Sequence, residues 1–129
     1  MLKMYIYEDL TSKIIGAAIK VHKELGSAYE EKIYQRALQI EFQKIGIKSV
    51  RESEVDIQYS GIGVGKKKLD FVIENKIVVE LKKADEINNV HVAQVASYLQ
   101  ALGLKLGLIL NFGLSKLQIK RVIAKGTEG

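Results

Sequence analysis

Asp70, Glu80 and Lys82 stand inside runs that are otherwise apolar, in the stretch "LDFVIENKIVVELKK" from Leu69 to Lys83. Ile77, Val78, Val79 and Leu81 read as core, so ionisable groups among them need a reason. Alternate side chains of a strand share a face, which places Glu80 and Lys82 on one side, roughly 7 Å apart. A tight turn at Glu74, Asn75 and Lys76 sets Asp70 opposite the Glu80 region, so both carboxylates and the lysine converge at one end of a sheet. Two buried carboxylates repel unless a cation lies between them. Magnesium is held in this way, by one or two carboxylates, with positions left open for phosphate oxygens. Lys82 beside such a site could orient or help deprotonate an attacking water. The plainer alternative is an ion pair on a solvated edge, which is common and contributes little.

Two helical segments supply further polar groups. Glu31 precedes Tyr34 by three residues and Leu38 by seven, so it prolongs that helix's apolar stripe towards the core. A first-turn acid complementing the helix dipole is the alternative. His91, Gln94 and Tyr98 follow one another at spacings of three and four, on a face shared with Val95 and Leu102. A polar row on an apolar face wants partners, unless the amide and phenol simply snorkel to water. His91 alone is more often a helix-start histidine than a ligand, and His22 reads as a partly buried core histidine without a role.

The elements that must position these groups are marked by glycines, since the chain has no proline. In "DLTSKIIGAAIKVHKELG", Ile14, Ile15, Ala18, Ile19, His22 and Leu25 recur at helical spacing, with Asp9 or Thr11 as a start cap and Gly26 as the end. A second helix follows, with Ser27 placed to cap the amide of Glu30, Glu30 as a capping residue, and Tyr34, Leu38, Phe42 and Ile45 as its stripe up to Gly46. From Lys48 to Ser60, Val55, Ile57 and Tyr59 alternate with Glu54, Asp56 and Gln58, the period of a strand. "YSGIGVG" turns or bulges the chain, and "KKKLDFVI" and "IVVELK" complete an antiparallel meander. Asn88 or Asn89 can cap a third helix reaching Leu102 and ending at Gly103. "KLGLILNF" is apolar throughout, as in a strand covered on both faces, and the helix before it is the usual crossover to a position parallel to the third strand. The tail "LSKLQIKRVIAK" fits a strand or a short helix.

Composition bounds the classes available. The 129 residues, 47% hydrophobic and 27% charged, suit one globular domain spanning residues 1–129, and no apolar run is long enough to span a bilayer. There is no cysteine, which excludes thiol catalysis, and "MLKMYIYEDLTSK" lacks a signal-peptide pattern, so a reducing cytoplasm and no membrane association are expected. The formal charge of +5 favours polyanionic partners but equally fits a solubilising lysine surface.

Aspartate in one strand, Glu-x-Lys in the next ("ELK"), a helix-borne glutamate and Gln-x-x-x-Tyr ("QVASY") together resemble the PD-(D/E)XK nuclease superfamily. From about Leu10 to Arg121 the chain also resembles the small GxxExxY proteins, through "LTSKIIGAAIKVHKELG", "EEKIYQRAL", "KKKLDFVIENKIVVELK", "AQVASYL" and "LGLKLGLILNFG", with Ala28 where the namesake glycine stands. The resemblance implies an α/β, restriction-endonuclease-like αβββαβ core, a mixed central sheet flanked by helices. It implies metal-dependent phosphodiester hydrolysis of nucleic acid, DNA foremost. Asp70 and Glu80 would hold Mg²⁺ or Mn²⁺, Glu31 would support the water shell or a second ion, Lys82 would act on the attacking water, and Gln94 and Tyr98 would position the strand or the site. Lys66, Lys67, Lys68, Lys83 and His91 would contact the nucleic acid. The alternative is a non-catalytic nucleic-acid-binding or protein-interaction module on the same scaffold, and self-association or a partner protein stays open.

Overall fold

A computed structural model describes residues 6–127, so the first five residues of the stretch read for a signal peptide lie outside the described part. The elements run α1 (Glu8–Leu25), α2 (Glu31–Lys44), β1 (Ser49–Tyr59), β2 (Ile62–Ile73), β3 (Ile77–Lys82), α3 (Asn89–Leu102), β4 (Leu106–Asn111) and β5 (Gln118–Ile123). The strands form one sheet in the order β1-β2-β3-β4-β5. Neighbours are antiparallel except β3 and β4, which run parallel because α3 carries the chain back across the sheet. The ambiguous tail is thus the edge strand β5, paired from Asn111–Gln118 to Leu106–Ile123.

Apolar alternation sorts the side chains into two layers. Phe71, Ile73, Ile77, Val79, Leu81, Leu108 and Leu110 pack against Ile14, Tyr34, Leu38 and Phe42 of α1 and α2. Val72, Val78, Ile109 and Val122 pack on the other face against Val95, Tyr98 and Leu99 of α3. Covered on both sides, β4 is buried at every position, which explains its unbroken apolar run. Among the described residues no helix is long and apolar enough to cross a membrane.

Several local expectations are corrected. Neither Asp9 nor Thr11 caps α1: the helix starts one turn earlier, after Tyr7 in a left-handed conformation (φ 56°), and the Thr11 hydroxyl donates within the helix to the Glu8 carbonyl at 3.1 Å. Glu30 does hold the N-cap position of α2, as expected, but neither its side chain nor that of Ser27 caps the helix. The connection is organised by Tyr34 instead, whose phenol donates to the Gly26 carbonyl (2.6 Å) and accepts from the Tyr29 amide (3.3 Å). Asn88 does cap α3, in a reciprocal pair with His91: Asn88 Oδ1 accepts from the His91 amide at 3.0 Å and His91 Nδ1 accepts from the Asn88 amide at 3.2 Å. β2 begins at Ile62, four residues before "KKKLDFVI", because Ser60 and Gly61, both at positive φ, close a two-residue hairpin. Ile19 and Ile45, read as stripe residues, are exposed at the edges of their helices.

The exit of β3, immediately after Lys82, is fastened by Asn111 and Gly113. The fully buried Asn111 amide accepts from Ala84 N (3.0 Å) and Gly113 N (3.0 Å) and donates to Ala84 O (3.0 Å) and Gln118 Oε1 (3.0 Å). A Cβ at Gly113 would stand 2.8 Å from both the nitrogen and the oxygen of Ala84. Backbone cannot step aside as a side-chain tip can, so Gly113→Ala is expected to destabilise by about 1–3 kcal/mol, read as a lower denaturant midpoint at unchanged slope.

Candidate active site

The β2–β3 ladder stops at Phe71 and Val79, one rung short of Asp70 and Glu80. There the carboxylates replace backbone carbonyls as acceptors: Glu80 Oε2 accepts from the Asp70 amide (2.7 Å), and Asp70 Oδ2 accepts from the Leu81 amide (2.8 Å). On the other side of β2 the pairing with β1 passes from Phe71 to Leu69, skipping Asp70, where Glu52 takes a left-handed φ of 54°. Asp70 therefore sits where β2 parts from β3 and misses one rung with β1, and its side chain enters the gap with that of Glu80.

Both sheet faces feed this gap. From α2, Gln35, which is 3% exposed, donates through Nε2 to Asp70 Oδ1 at 2.8 Å, and its Oε1 accepts from Arg51 Nη1 at 3.3 Å. An arginine only donates, so the amide orientation is fixed and its NH₂ must face Asp70. Glu31, one turn earlier, stands exposed at the rim. From α3, Tyr98 is buried beside Glu80, and the exposed Gln94 accepts from Lys82 Nζ at 3.3 Å. Lys82 is on the α3 face, as its two-residue spacing from Glu80 requires.

Electrostatically the pair is strained. Glu80 is 6% exposed, and burial, followed by the negative charge of Asp70, pushes its carboxyl up to about 8 against the smaller opposing effects of the Asp70 amide and Lys82. Asp70 is also raised, chiefly by burial, with the Leu81 amide, Gln35 and Lys82 pulling the other way. Glu31 moves up through desolvation and the Asp70 charge, opposed by Lys82, the Lys83 amide and His91. Tyr98 is raised by burial and by the charges of Glu80 and Asp70, so its phenol keeps its proton as a donor. A cation between Asp70 and Glu80 would relieve their repulsion and favour their charged forms.

The donor set fits a magnesium-like ion. Each hydrogen-bonded oxygen of Asp70 and Glu80 accepts one hydrogen bond from the protein, leaving lone-pair capacity for a cation. Among the described residues no group of three or more His, Cys, Asp or Glu side chains is arranged to hold a metal ion. Two carboxylates completed by water suit Mg²⁺ or Mn²⁺, whereas a closed structural zinc or calcium site needs more protein ligands. Glu31 thus lies outside the pair, where it faces Asp70 across the rim.

The basic residues are less concentrated here than the sequence suggested. Lys66, Lys67 and Lys68 are exposed on the part of β2 that runs away from the gap, and Lys66 lies 3.9 Å from Asp56. Lys83 donates to the Ser27 carbonyl at 2.6 Å, tying β3 to the α1–α2 connection. His91 serves the α3 cap while remaining close enough to Glu31 to lower its carboxyl. His22 donates to or accepts from nothing in the gap; its Nε2 lies 2.9 Å from the Leu114 carbonyl. Sequence reading missed Gln35 and Arg51. The signal for Gln35 was present: it follows Glu31 by four residues on the same helix face. Arg51 carried none, because its contact is set by tertiary packing.

Comparison with known proteins bears on this arrangement. A family model described as the PD-(D/E)XK nuclease superfamily matches residues 8–122. No curated protein matches the chain in sequence. Among solved structures the chain is similar to SSO0001, at 20% identity and a TM-score of 0.57, over 72% of this chain and 50% of that one. It is also similar to an alkaline exonuclease from Laribacter hongkongensis, at 10% identity and a TM-score of 0.49, over 84% and 76% of the two chains. The chain thus spans about half the length of SSO0001, and that likeness shows the fold: an α/β, restriction-endonuclease-like core with its mixed sheet flanked by helices.

Proposed function

The chain belongs to the PD-(D/E)XK nuclease superfamily, and from that premise we propose that it is a divalent-metal-dependent nuclease hydrolysing phosphodiester bonds of nucleic acid, DNA foremost. The observation that carries the reading is the interlocked pair in which Asp70 and Glu80 each accept a backbone amide across the parted strands. Nucleases of this superfamily generally use divalent metals. Asp70 and Glu80 would hold Mg²⁺ or Mn²⁺, and the ion, when bound, would polarise the phosphate and lower the pKa of water. Lys82, kept at the gap by Gln94, brings Nζ near both carboxylates and acts on the attacking water. Glu31 orients water at the rim, and Tyr98 presents a protonated phenol next to Glu80. We also assign the chain to the GxxExxY proteins, as a single domain working in the cytoplasm, with self-association or a partner protein left open.

Gln35 belongs in this machinery as a positioning residue, because it fixes the Asp70 carboxylate. Gln35→Leu is expected to weaken Mn²⁺ binding by roughly 10–100-fold in calorimetric titration while the far-ultraviolet spectrum stays unchanged.

The function is tested by incubating duplex and single-stranded DNA with the protein and Mg²⁺ or Mn²⁺, beside Asp70→Ala, Glu80→Ala and Lys82→Ala. Metal-dependent cleavage that disappears in all three supports the reading. Full activity in all three refutes it, and salt-sensitive binding without turnover by wild-type protein would replace it with a non-catalytic nucleic-acid-binding module.

A further inference from the structure

We propose that two copies of this chain join through the outer edge of β1, antiparallel about a two-fold axis at Ile57, with Tyr59 of each copy seated in the groove between β1 and α3 of the other. β1 ends the sheet, and among the described residues no strand pairs with its outer side. From Ser53 to Tyr59 every residue has a partner in β2, because the extra residue at the register shift, Val64, belongs to β2. Glu52 and Ser60, both left-handed (φ 54° and 53°), bound this regular stretch. The other open edges carry lysines, which discourage strand addition: Lys120 on β5, and Lys66, Lys67 and Lys68 on β2. The stretch "SEVDIQY" of β1 has no lysine, arginine or proline.

The space beside this edge has the shape of a strand's seat. Residues 54–58 of β1 form one wall of a groove of about 680 Å³, and Ser97, Gln100, Ala101 and Leu102 of α3 form the other. α3 has no Asp, Glu, Lys or Arg, although 27% of the chain is charged. A helix without a charged face is normally covered, yet Ser97, Gln100 and Ala101 are exposed. A strand edge facing a helix flank accepts an added strand, with main-chain hydrogen bonds giving affinity and pockets for alternate side chains giving specificity. Val55 and Ile57 pack in the α3 layer, so strand alternation puts Tyr59 on the same face. In a single copy Tyr59 is 75% exposed.

Charge along β1 selects a second copy as the occupant and fixes its register. Residues opposite each other in an antiparallel pair share a face, so the two-fold axis of two identical strands passes through a residue, not between two. An axis at Val55 sets Glu54 against Asp56, and an axis at Glu54 or Asp56 sets that carboxylate against itself, which is unfavourable. An axis at Gln58 engages only Ile57–Tyr59 of the regular stretch. The axis at Ile57 sets Ile57 against Ile57, Asp56 against Gln58 and Val55 against Tyr59, with no like charges opposed. It also carries each Tyr59 to the Val55 end of the other copy's groove, beside the uncharged flank of α3. Pairing over Val55–Tyr59 is smaller than the roughly 1,200–2,000 Å² of a stable interface, so a reversible dimer with a dissociation constant on the order of micromolar is expected. This goes beyond the nuclease reading and does not depend on it.

The experiment is sedimentation equilibrium of the full chain from about 1 to about 500 µM, spanning the expected dissociation constant, on wild type, Tyr59→Ala and Gln58→Lys. Tyr59→Ala removes the ring from both halves of a symmetric contact and should weaken the dimer roughly tenfold or more, with the Tm of dilute protein unchanged. Gln58→Lys places a lysine opposite Asp56 of the other copy twice over and should tighten it roughly three- to tenfold, a gain that loss of fold cannot mimic. Because the chain has no cysteine, single cysteines report the register. Ile57→Cys, at the axis, should form a disulfide-linked dimer with copper phenanthroline as oxidant, since directly opposed strand residues lie within disulfide reach. Tyr59→Cys should not, because the two copies of that position stand about 14 Å apart along the strands. A wild-type protein monomeric at every concentration would overturn the proposal. So would a dimer indifferent to both Tyr59→Ala and Gln58→Lys, or crosslinking of Tyr59→Cys as efficient as that of Ile57→Cys. A monomer that cleaves DNA sinks the dimer alone, and a β1-dependent dimer without any cleavage sinks the nuclease reading alone.

Discussion

Glu80→Gln will abolish metal-dependent cleavage and, without metal, give a protein more stable than wild type at pH 8. The glutamine keeps an oxygen to accept the Asp70 amide, as Glu80 Oε2 does at 2.7 Å, but removes the charge. Losing a preorganised charged group at the reacting centre costs on the order of 10³-fold in rate or more. The stability effect has the opposite sign because the folded-state pKa of Glu80, about 8, lies above its ordinary value of 4.5. Between those limits the folded state binds the proton and the unfolded chain does not. The wild-type protein is therefore most stable below the unfolded value and loses stability as pH rises through the folded one. With roughly 1.4 kcal/mol per pKa unit, a rise from 4.5 to about 8 sets an upper bound of about 5 kcal/mol on the loss. Thermal unfolding in EDTA from pH 5 to 9 should show a falling Tm for wild type and a much flatter line for Glu80→Gln. Mn²⁺ should raise the wild-type Tm at pH 8 and leave the variant nearly unmoved. Parallel lines for the two proteins would show that Glu80 is not held in a charge-strained site.

Strain of this kind was legible in the sequence because it breaks a pattern. A strand buried on both faces reads as a continuous apolar run, so Glu80 among Ile77–Leu81 and Asp70 after Leu69 were visible as exceptions, and the period of two fixed which of their neighbours shared a face. The parallel placing of β4 beside β3 was legible for a similar reason, since a helix as long as α3 serves a crossover. What stayed hidden depends on geometry between elements. That the strands part at Asp70, so that carboxylates stand in for ladder carbonyls, follows from the skipped Glu52 rung and has no composition signature. Gln35 went unread four residues after Glu31, because its role rests on Arg51 and Asp70 standing on either side of it. The lysines at 66–68 were visible, but their distance from the gap was set by where β3 stops pairing with β2. The cap failed at α2 because Tyr34 satisfied the connection that local side chains were expected to satisfy, and at α1 because the helix begins earlier, after Tyr7.

Lys82→Met is expected to separate cation binding from turnover. Methionine keeps an unbranched stem at this half-buried position but removes the ammonium that Gln94 holds at 3.3 Å. The positive charge of Lys82 opposes the rise of the Glu80, Asp70 and Glu31 carboxyls. Removing a positive charge from beside two cation-binding carboxylates should leave Mn²⁺ affinity equal or tighter. Turnover should nevertheless fall by about 10²–10⁴-fold, the range for loss of a positioned proton-transfer group. Lys82→Arg discriminates what the ammonium does. Arginine restores the charge but cannot become a neutral base in a protein, so it should leave the variant slow if Nζ takes a proton from the attacking water, and should restore most of the rate if only charge is needed. Cleavage assays under saturating Mn²⁺ paired with calorimetric titration decide the matter. Mn²⁺ binding that falls together with turnover in Lys82→Met would mean that Lys82 builds the site instead of acting in it.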